Sequence, residues 1–194
     1  MLFRSMAFRD ELTGLPGRRA LNERLQRLGR TYVIAMADVD HFKKFNDTHG
    51  HDVGDQVLRL VASQLRQIGG GGKAYRYGGE EFTLVFPGKT LEECLPHLEQ
   101  VRQAVEQYRL HLRDPQQRPQ SDKQGRQRRA GKGASEVSVT ISMGVAERGI
   151  QHAAPEDVIK AADQALYNAK SAGRNCVRSH GQRRGAVKVD MPAH

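Results

Sequence analysis

Tryptophan is absent from this 194-residue chain, cysteine occurs twice, and aromatic residues make up 6% of it. Two cysteines far apart, Cys94 and Cys176, make neither a disulfide framework nor a zinc site, which predicts a reducing, cytoplasmic setting. Long apolar runs are missing as well. The longest, Tyr32–Ala37, falls far short of the ~20 residues that cross a bilayer. Met1–Asp10 carries Arg4, Arg9 and Asp10 and no apolar h-region, so a secretory leader is not expected. Acid is in deficit, with 22 Asp and Glu against 31 Lys and Arg. With Gly counted in place of Tyr, the 38% hydrophobic content becomes roughly 46%, ordinary for a soluble globular domain, and the length suits one domain with residues to spare. These features argue against a secreted mini-protein, a membrane protein and a disordered chain.

The net charge is +9, and its placement matters more than its size. Arg113–Gly133 holds seven basic residues against Asp114 and Asp122, and Arg178–His194 holds four against Asp190. A nucleic-acid-binding domain concentrates its basic stripe on a folded face. Here the excess falls in Gln-, Gly- and Pro-rich stretches whose composition predicts flexible, solvated segments. No nucleic-acid partner is expected.

Hydrophobic periodicity places the elements. Met1–Arg9 predicts a short helical linker continuing from something upstream, and Asp10–Pro16 a turn-rich connector. Arg18–Leu28 predicts a helix with Leu21, Leu25 and Leu28 on one face. Thr31–Asp38 predicts a buried strand, Asp40 an N-cap for a short helix over His41–Asn46, and Asp52–Ile68 a longer helix. Lys73–Tyr77 and Glu81–Phe86 predict a hairpin through Gly78-Gly79, whose glycines would supply positive φ. Leu91–Leu112 predicts an amphipathic helix and Glu136–Glu147 a long strand. Pro155–Ala172 predicts a helix stopped by Gly173, and Asn175–Ser179 a last short strand. The order implies an α+β fold: a ferredoxin-like split βαβ core, mostly antiparallel, with helices on one face.

Within that topology Asp38, at the end of the first strand, converges with Glu80 and Glu81 of the hairpin. Three carboxylates so close repel one another, and a divalent cation resolves the conflict. Oxygen ligands without His or Cys favour Mg²⁺ or Mn²⁺ over zinc. Read singly, Asp38 is equally well a helix cap and the glutamates a solvated turn. The helix opening at His41–Lys44 offers backbone N–H groups to phosphate oxygens, and Lys43 adds a point charge. Asn46 and Asp55 form an amide–carboxylate pair suited to the edge of guanine, although a C-cap and a first-turn dipole residue explain them one at a time.

These residues resemble the GGDEF domains, the diguanylate cyclases. Arg76-Tyr77-Gly78-Gly79-Glu80-Glu81-Phe82 is similar to the family signature in its Glu-for-Asp form. Asp10–Pro16, Asp38–Lys43, Asn46-Asp47 with Gly50–Asp55, Ser142–Val145, and Ala162–Lys170 with Gly173–Asn175 resemble its other blocks in the same order. The resemblance spans about Asp10–Ser179, which implies a catalytic domain over 10–179 with a basic insertion at 113–133, a linker at 1–9 and a basic tail at 180–194. It implies a fold like that of class III nucleotidyl cyclases and polymerase palms, and condensation of two GTP into cyclic di-GMP with release of two pyrophosphates. Two Mg²⁺ (or Mn²⁺) per site would be held by Asp38, the Val39 carbonyl and Glu80, with Glu81 at the second. Glu80 would also take the proton of the ribose 3′-OH, and Lys43 would stabilise the transition state. The Phe42 and Lys43 amides would hold the terminal phosphates, Asn46 and Asp55 read guanine, His51 line the nucleoside pocket, and Lys170 and Arg174 reach the β and γ phosphates. A two-fold homodimer would bring two GTP face to face, under an upstream sensory or regulatory domain. The resemblance also admits a degenerate domain that binds GTP without turnover. Two departures stand out. Gly69–Gly72 occupies the place of the family's RxxD product-inhibition site, and Gly17 stands where Asn is usual.

Overall fold

The computed structural model describes residues 8–112, 135–150 and 152–181. The upstream linker helix, the basic insertion and most of the basic tail fall outside the described residues. The elements run α1 (Arg18–Leu25), β1 (Tyr32–Val39), α2 (Phe42–His49), α3 (His51–Arg66), β2 (Lys73–Arg76), β3 (Glu81–Pro87), α4 (Leu91–Gln107), β4 (Leu110–Leu112), β5 (Ser135–Val137), β6 (Ile141–Glu147), α5 (Pro155–Ser171) and β7 (Val177–Ser179). Five strands form one sheet in the order β2-β3-β1-β6-β7, antiparallel except for the parallel β6–β7 pair. The α+β, split βαβ expectation therefore holds.

β1 is the central strand and is buried along its whole length. Its side chains alternate between two cores, as a period of two requires. Val33, Ala35, Ala37 and Val39 face α3 and α4, where Val57, Val61, Leu65, Leu98 and Val105 meet them. Tyr32, Ile34 and Met36 face α1 and α5, against Leu21, Leu25, Val158 and Leu166. Helices thus cover both faces, not one. A strand rich in Val and Ile on both faces is the signature of that sandwich, and each fully buried Leu or Ile contributes about 1.5–3 kcal/mol.

Three expectations need correction. The helix after Leu91 ends at Gln107, where Arg109 Nη1 donates to the Glu106 carbonyl, and Leu110–Leu112 turns into a strand paired with β5. The long strand over Glu136–Glu147 is two strands, because β5 leaves the main sheet to pair with β4. The Gly78-Gly79 turn does not depend on positive φ, since neither glycine adopts it. Instead the Tyr77 and Gly78 amides both donate to the Glu81 carbonyl (2.9 and 3.2 Å). Arg76 grips the Gly78 carbonyl at 3.0 Å and the Gly79 carbonyl. Asp10 orients Arg76 at 2.9 Å while accepting from the Thr13 amide and hydroxyl. The segment that begins the domain therefore braces the hairpin.

β6 meets α5 at Gly144. A Cβ there would stand 2.0 Å from the Leu166 amide nitrogen and 2.1 Å from the Ala162 carbonyl oxygen. Backbone cannot swing aside as a side-chain tip can. Gly144→Ala is expected to lower the denaturant midpoint, costing about 1–3 kcal/mol or more from overpacking; an unchanged midpoint in urea would show that α5 sits farther from the sheet.

Candidate active site

Asp38 is the penultimate residue of β1 and lies in register with Glu81 of β3. Directly opposed residues share a face, here the face covered by α5. From α5, Lys170 Nζ reaches Asp38 Oδ1 at 2.9 Å, and Asp38 is 5% exposed. Glu80 joins from the turn, its carbonyl accepting from the Val39 amide at 3.3 Å. A cleft of about 360 Å³ gathers Asp38, Val39, Phe42, Lys43, Glu80, Lys170 and Arg174. Residues separated by more than a hundred positions thus line one depression. Glu81 stands beside it with its carboxylate against Gly78. Asn46, His51 and Asp55 lie outside the cleft lining, at the α2–α3 junction.

The deeper acids of the cleft are incompletely compensated by its cations. Burial holds the Asp38 carboxyl above the usual range, and Glu81 and Asp40 push the same way, together outweighing Lys170. Burial also raises Glu80, with the Asp38 charge adding to it. Asp163, on α5 two turns before Lys170, is raised by burial and by Glu81. Sequence reasoning missed Asp163, although its i to i+7 spacing to Lys170 puts the two on one helical face. The donors are hard oxygens, and a pair of carboxylates with substrate phosphates is the usual setting for Mg²⁺. Among the described residues no three His, Cys, Asp or Glu side chains are drawn close enough to cage an ion by themselves. Asp38, Glu80 and the Val39 carbonyl therefore fit a cation that keeps most of its coordination for phosphate and water.

α2 opens at the rim of the cleft, but not through an Asp40 cap. Asp40 turns away and accepts from Thr140 Oγ1 (2.7 Å), Ser142 Oγ (2.6 Å) and the Asn175 amide (3.0 Å). His41 takes the N-cap place in a left-handed conformation, φ 55°, with no side-chain cap. The first intrahelical bond to His41 runs from Phe45. The amides of the first turn are thus left without intrahelical acceptors, as at any helix start. Gly50 at φ 85° then lets the chain double back into α3. There Gly54 lies against Asn46, since a Cβ would fall 1.8 Å from Asn46 Oδ1. That oxygen is buried without a partner, so the α2–α3 junction holds an unmet acceptor beside Asp55.

The family model for "Diguanylate cyclase, GGDEF domain" matches residues 7–122 and 116–176. This chain belongs to the GGDEF family of diguanylate cyclases. The GGDEF chain is 39% identical over 172 residues to the diguanylate cyclase VdcA of Vibrio cholerae, covering 87% of this chain and 45% of that protein. It thus spans less than half of that relative. The GGDEF domain of DgcB from Caulobacter crescentus, solved in complex with c-di-GMP, is 35% identical with a TM-score of 0.76, over 91% of this chain and 94% of that one. An active GGEEF domain of a Vibrio cholerae diguanylate cyclase is 26% identical with a TM-score of 0.62, over 93% and 97% of the two chains.

The raised carboxyls of Asp38 and Glu80 carry a sign. The folded GGDEF domain binds their protons more tightly than the unfolded chain, so their contribution to stability is full at low pH and is lost as pH rises through the raised values. In EDTA, Asp38→Asn should gain thermal stability relative to the parent as pH rises from about 4 to about 8. Added Mg²⁺ should then raise the parent's Tm and leave that of the variant unmoved. A Tm difference independent of pH would contradict the electrostatic account.

Proposed function

We propose that this domain condenses two GTP into cyclic di-GMP with release of two pyrophosphates. The observation that carries the reading is the meeting of Asp38 and Glu80 with Lys43, Lys170 and Arg174 in one cleft at the start of α2. The lining supplies both acids, suited to a nucleophile, and cations, suited to a polyphosphate leaving group, with Lys170 already paired to Asp38. Glu80 receives the ribose 3′-OH proton, and its raised carboxyl brings its basicity closer to working pH. Lys43 and the Phe42 and Lys43 amides hold phosphate oxygens. Lys170 and Arg174 meet the charge that develops on the departing pyrophosphate. Asn46 and Asp55 read guanine, with His51 beside the nucleoside. Asp38, the Val39 carbonyl and Glu80, with Glu81 adjoining, would hold two Mg²⁺ (or Mn²⁺), which when bound lower the pKa of the attacking hydroxyl and neutralise phosphate charge.

Each domain presents one such cleft, so joining two nucleotides needs two copies related by a two-fold axis. Product formation per molecule should therefore rise with protein concentration, and Glu80→Gln should lose at least about a hundredfold in turnover with an unchanged circular dichroism spectrum. Near-parental rates in that variant would remove Glu80 from the base role. Bound GTP with no pyrophosphate released, at any concentration, would favour a domain that only senses the nucleotide.

The Gly69–Gly72 segment supports a second expectation. A Cβ at Gly70 would lie 2.4 Å from the His97 ring and one at Gly72 2.5 Å from the Phe86 ring. The place of the family's RxxD side chains is thus closed over by His97 and Phe86, with no guanidinium to grip a product phosphate. Titrating cyclic di-GMP into the assay should give only inhibition competitive with GTP; potent noncompetitive inhibition would contradict this.

A further inference from the structure

Arg174 and Asn175 are consecutive non-glycine residues at φ 66° and 47°, directly after Gly173 at φ 111°. Left-handed backbone is unfavourable for side chains other than Asn and Asp, and it persists only where the surroundings over-determine it. The surroundings here are specific. The Arg174 amide donates back to the Ala169 carbonyl at 3.1 Å, closing the end of α5. The Asn175 amide donates to Asp40 Oδ2 at 3.0 Å. Its side chain is held at both ends: Oδ1 accepts from Arg102 Nη1, and Nδ2 donates to Glu106 Oε1 at 2.8 Å. Arg102, 8% exposed on α4, is itself locked by Glu99 (2.7 Å) and Glu106 (2.8 Å).

The product of this arrangement is the position of Arg174, which lines the cleft with Asp38 and Lys170. Arg102 and Asn175 do not line it. We propose that Asn175, gripped by Arg102 and Asp40, is a positioning residue that fixes the left-handed turn after α5 and so delivers the Arg174 guanidinium to the phosphate end of the nucleotide. This rests on the GTP reading above and adds to it a link from α4, on the opposite face of the sheet, to substrate recognition. Asp40 closes the link from the other side, because the same carboxylate ties the turn to Ser142 and Thr140 at the start of β6.

The test compares binding of 3′-deoxy-GTP, which lacks the attacking hydroxyl, with binding of GMP, in Mg²⁺ by calorimetry. A residue acting through Arg174 affects only the ligand that has β and γ phosphates. Asn175→Ala should weaken 3′-deoxy-GTP about tenfold and leave GMP within about twofold. Asn175→Gly, which accepts positive φ freely, should lose less than Asn175→Ala. Arg102→Met, remote from the cleft, should reproduce the selective loss and supplies the answer if an Asn175 variant is poorly folded. In an Arg174→Ala background, Asn175→Ala should add nothing. Equal losses for both ligands, additive losses in the double variant, or unchanged 3′-deoxy-GTP affinity in Asn175→Ala and Arg102→Met would overturn the assignment. A parent domain that does not prefer 3′-deoxy-GTP to GMP would instead overturn the reading of the site as a GTP site, and this inference with it.

Discussion

A carboxylate buried at the end of a central strand is the constraint around which this domain is arranged. Asp38 has β3 and β6 on its two sides and is 5% exposed at the wall of the cleft, so little water reaches its charge. Removing a carboxylate from water costs several kcal/mol unless a partner compensates. The protein supplies one ammonium, Lys170, and sets it against Asp38, Glu80, Glu81 and Asp163. Lys170 alone pairs directly with Asp38, while Lys43, Lys44 and Arg174 line the same cleft, and the raised Asp38 and Glu80 carboxyls show that the compensation is incomplete. A divalent cation with a polyphosphate fits that deficit better than either does alone.

The depth of α5 against the sheet controls this balance. Because position 144 has no side chain, the backbone of α5 rests nearly on β6, and Lys170 can meet Asp38 at 2.9 Å. A larger residue at 144 would lift the helix and move every group on its lower face. Packing and electrostatics are therefore not separable here. The glycine within Ser142–Val145 thus bears on the geometry of the candidate site without lining it.

Much of the architecture was legible because its signals are local. Alternation and apolar runs mark β1 and β3, Pro155 and Gly173 bracket α5, and the acids at 38, 80 and 81 converge once the split βαβ order is accepted. The misreadings share a different cause. Leu110–Leu112 and Ser135–Val137 are each three residues long, and only their mutual pairing makes them strands, a non-local fact that periodicity does not encode. Gly78-Gly79 looked like a positive-φ turn, but Arg76 and Asp10 shape that turn through side-chain bonds across 66 positions. Asp40 looked like a cap because Asp before a helix usually caps it. Here Thr140, Ser142 and Asn175, a hundred or more positions away, compete for the same oxygens and win. Asp163 carries no sequence signature because a single acid on an amphipathic helix is unremarkable until the strand beneath that helix is known.

Charge gives a final instance of local structure overriding composition. The chain carries nine net positive charges, yet the lining of the candidate cleft is balanced, Asp38, Asp40, Asp47 and Glu80 standing against Lys43, Lys44, Lys170 and Arg174. At physiological ionic strength charges act over about 8 Å, so on the proposed reading the cations that line the cleft weigh most on a bound triphosphate. Among the described residues those cations are Lys43, Lys44, Lys170 and Arg174. Lys170 is already engaged with Asp38, which leaves the orientation of the other side chains to determine how much positive field meets the phosphates. Orientation of a long, flexible side chain is entropically costly to fix. On the inference drawn for Asn175, a turn held in left-handed backbone by half-buried hydrogen bonds restricts Arg174 during folding, before any nucleotide arrives.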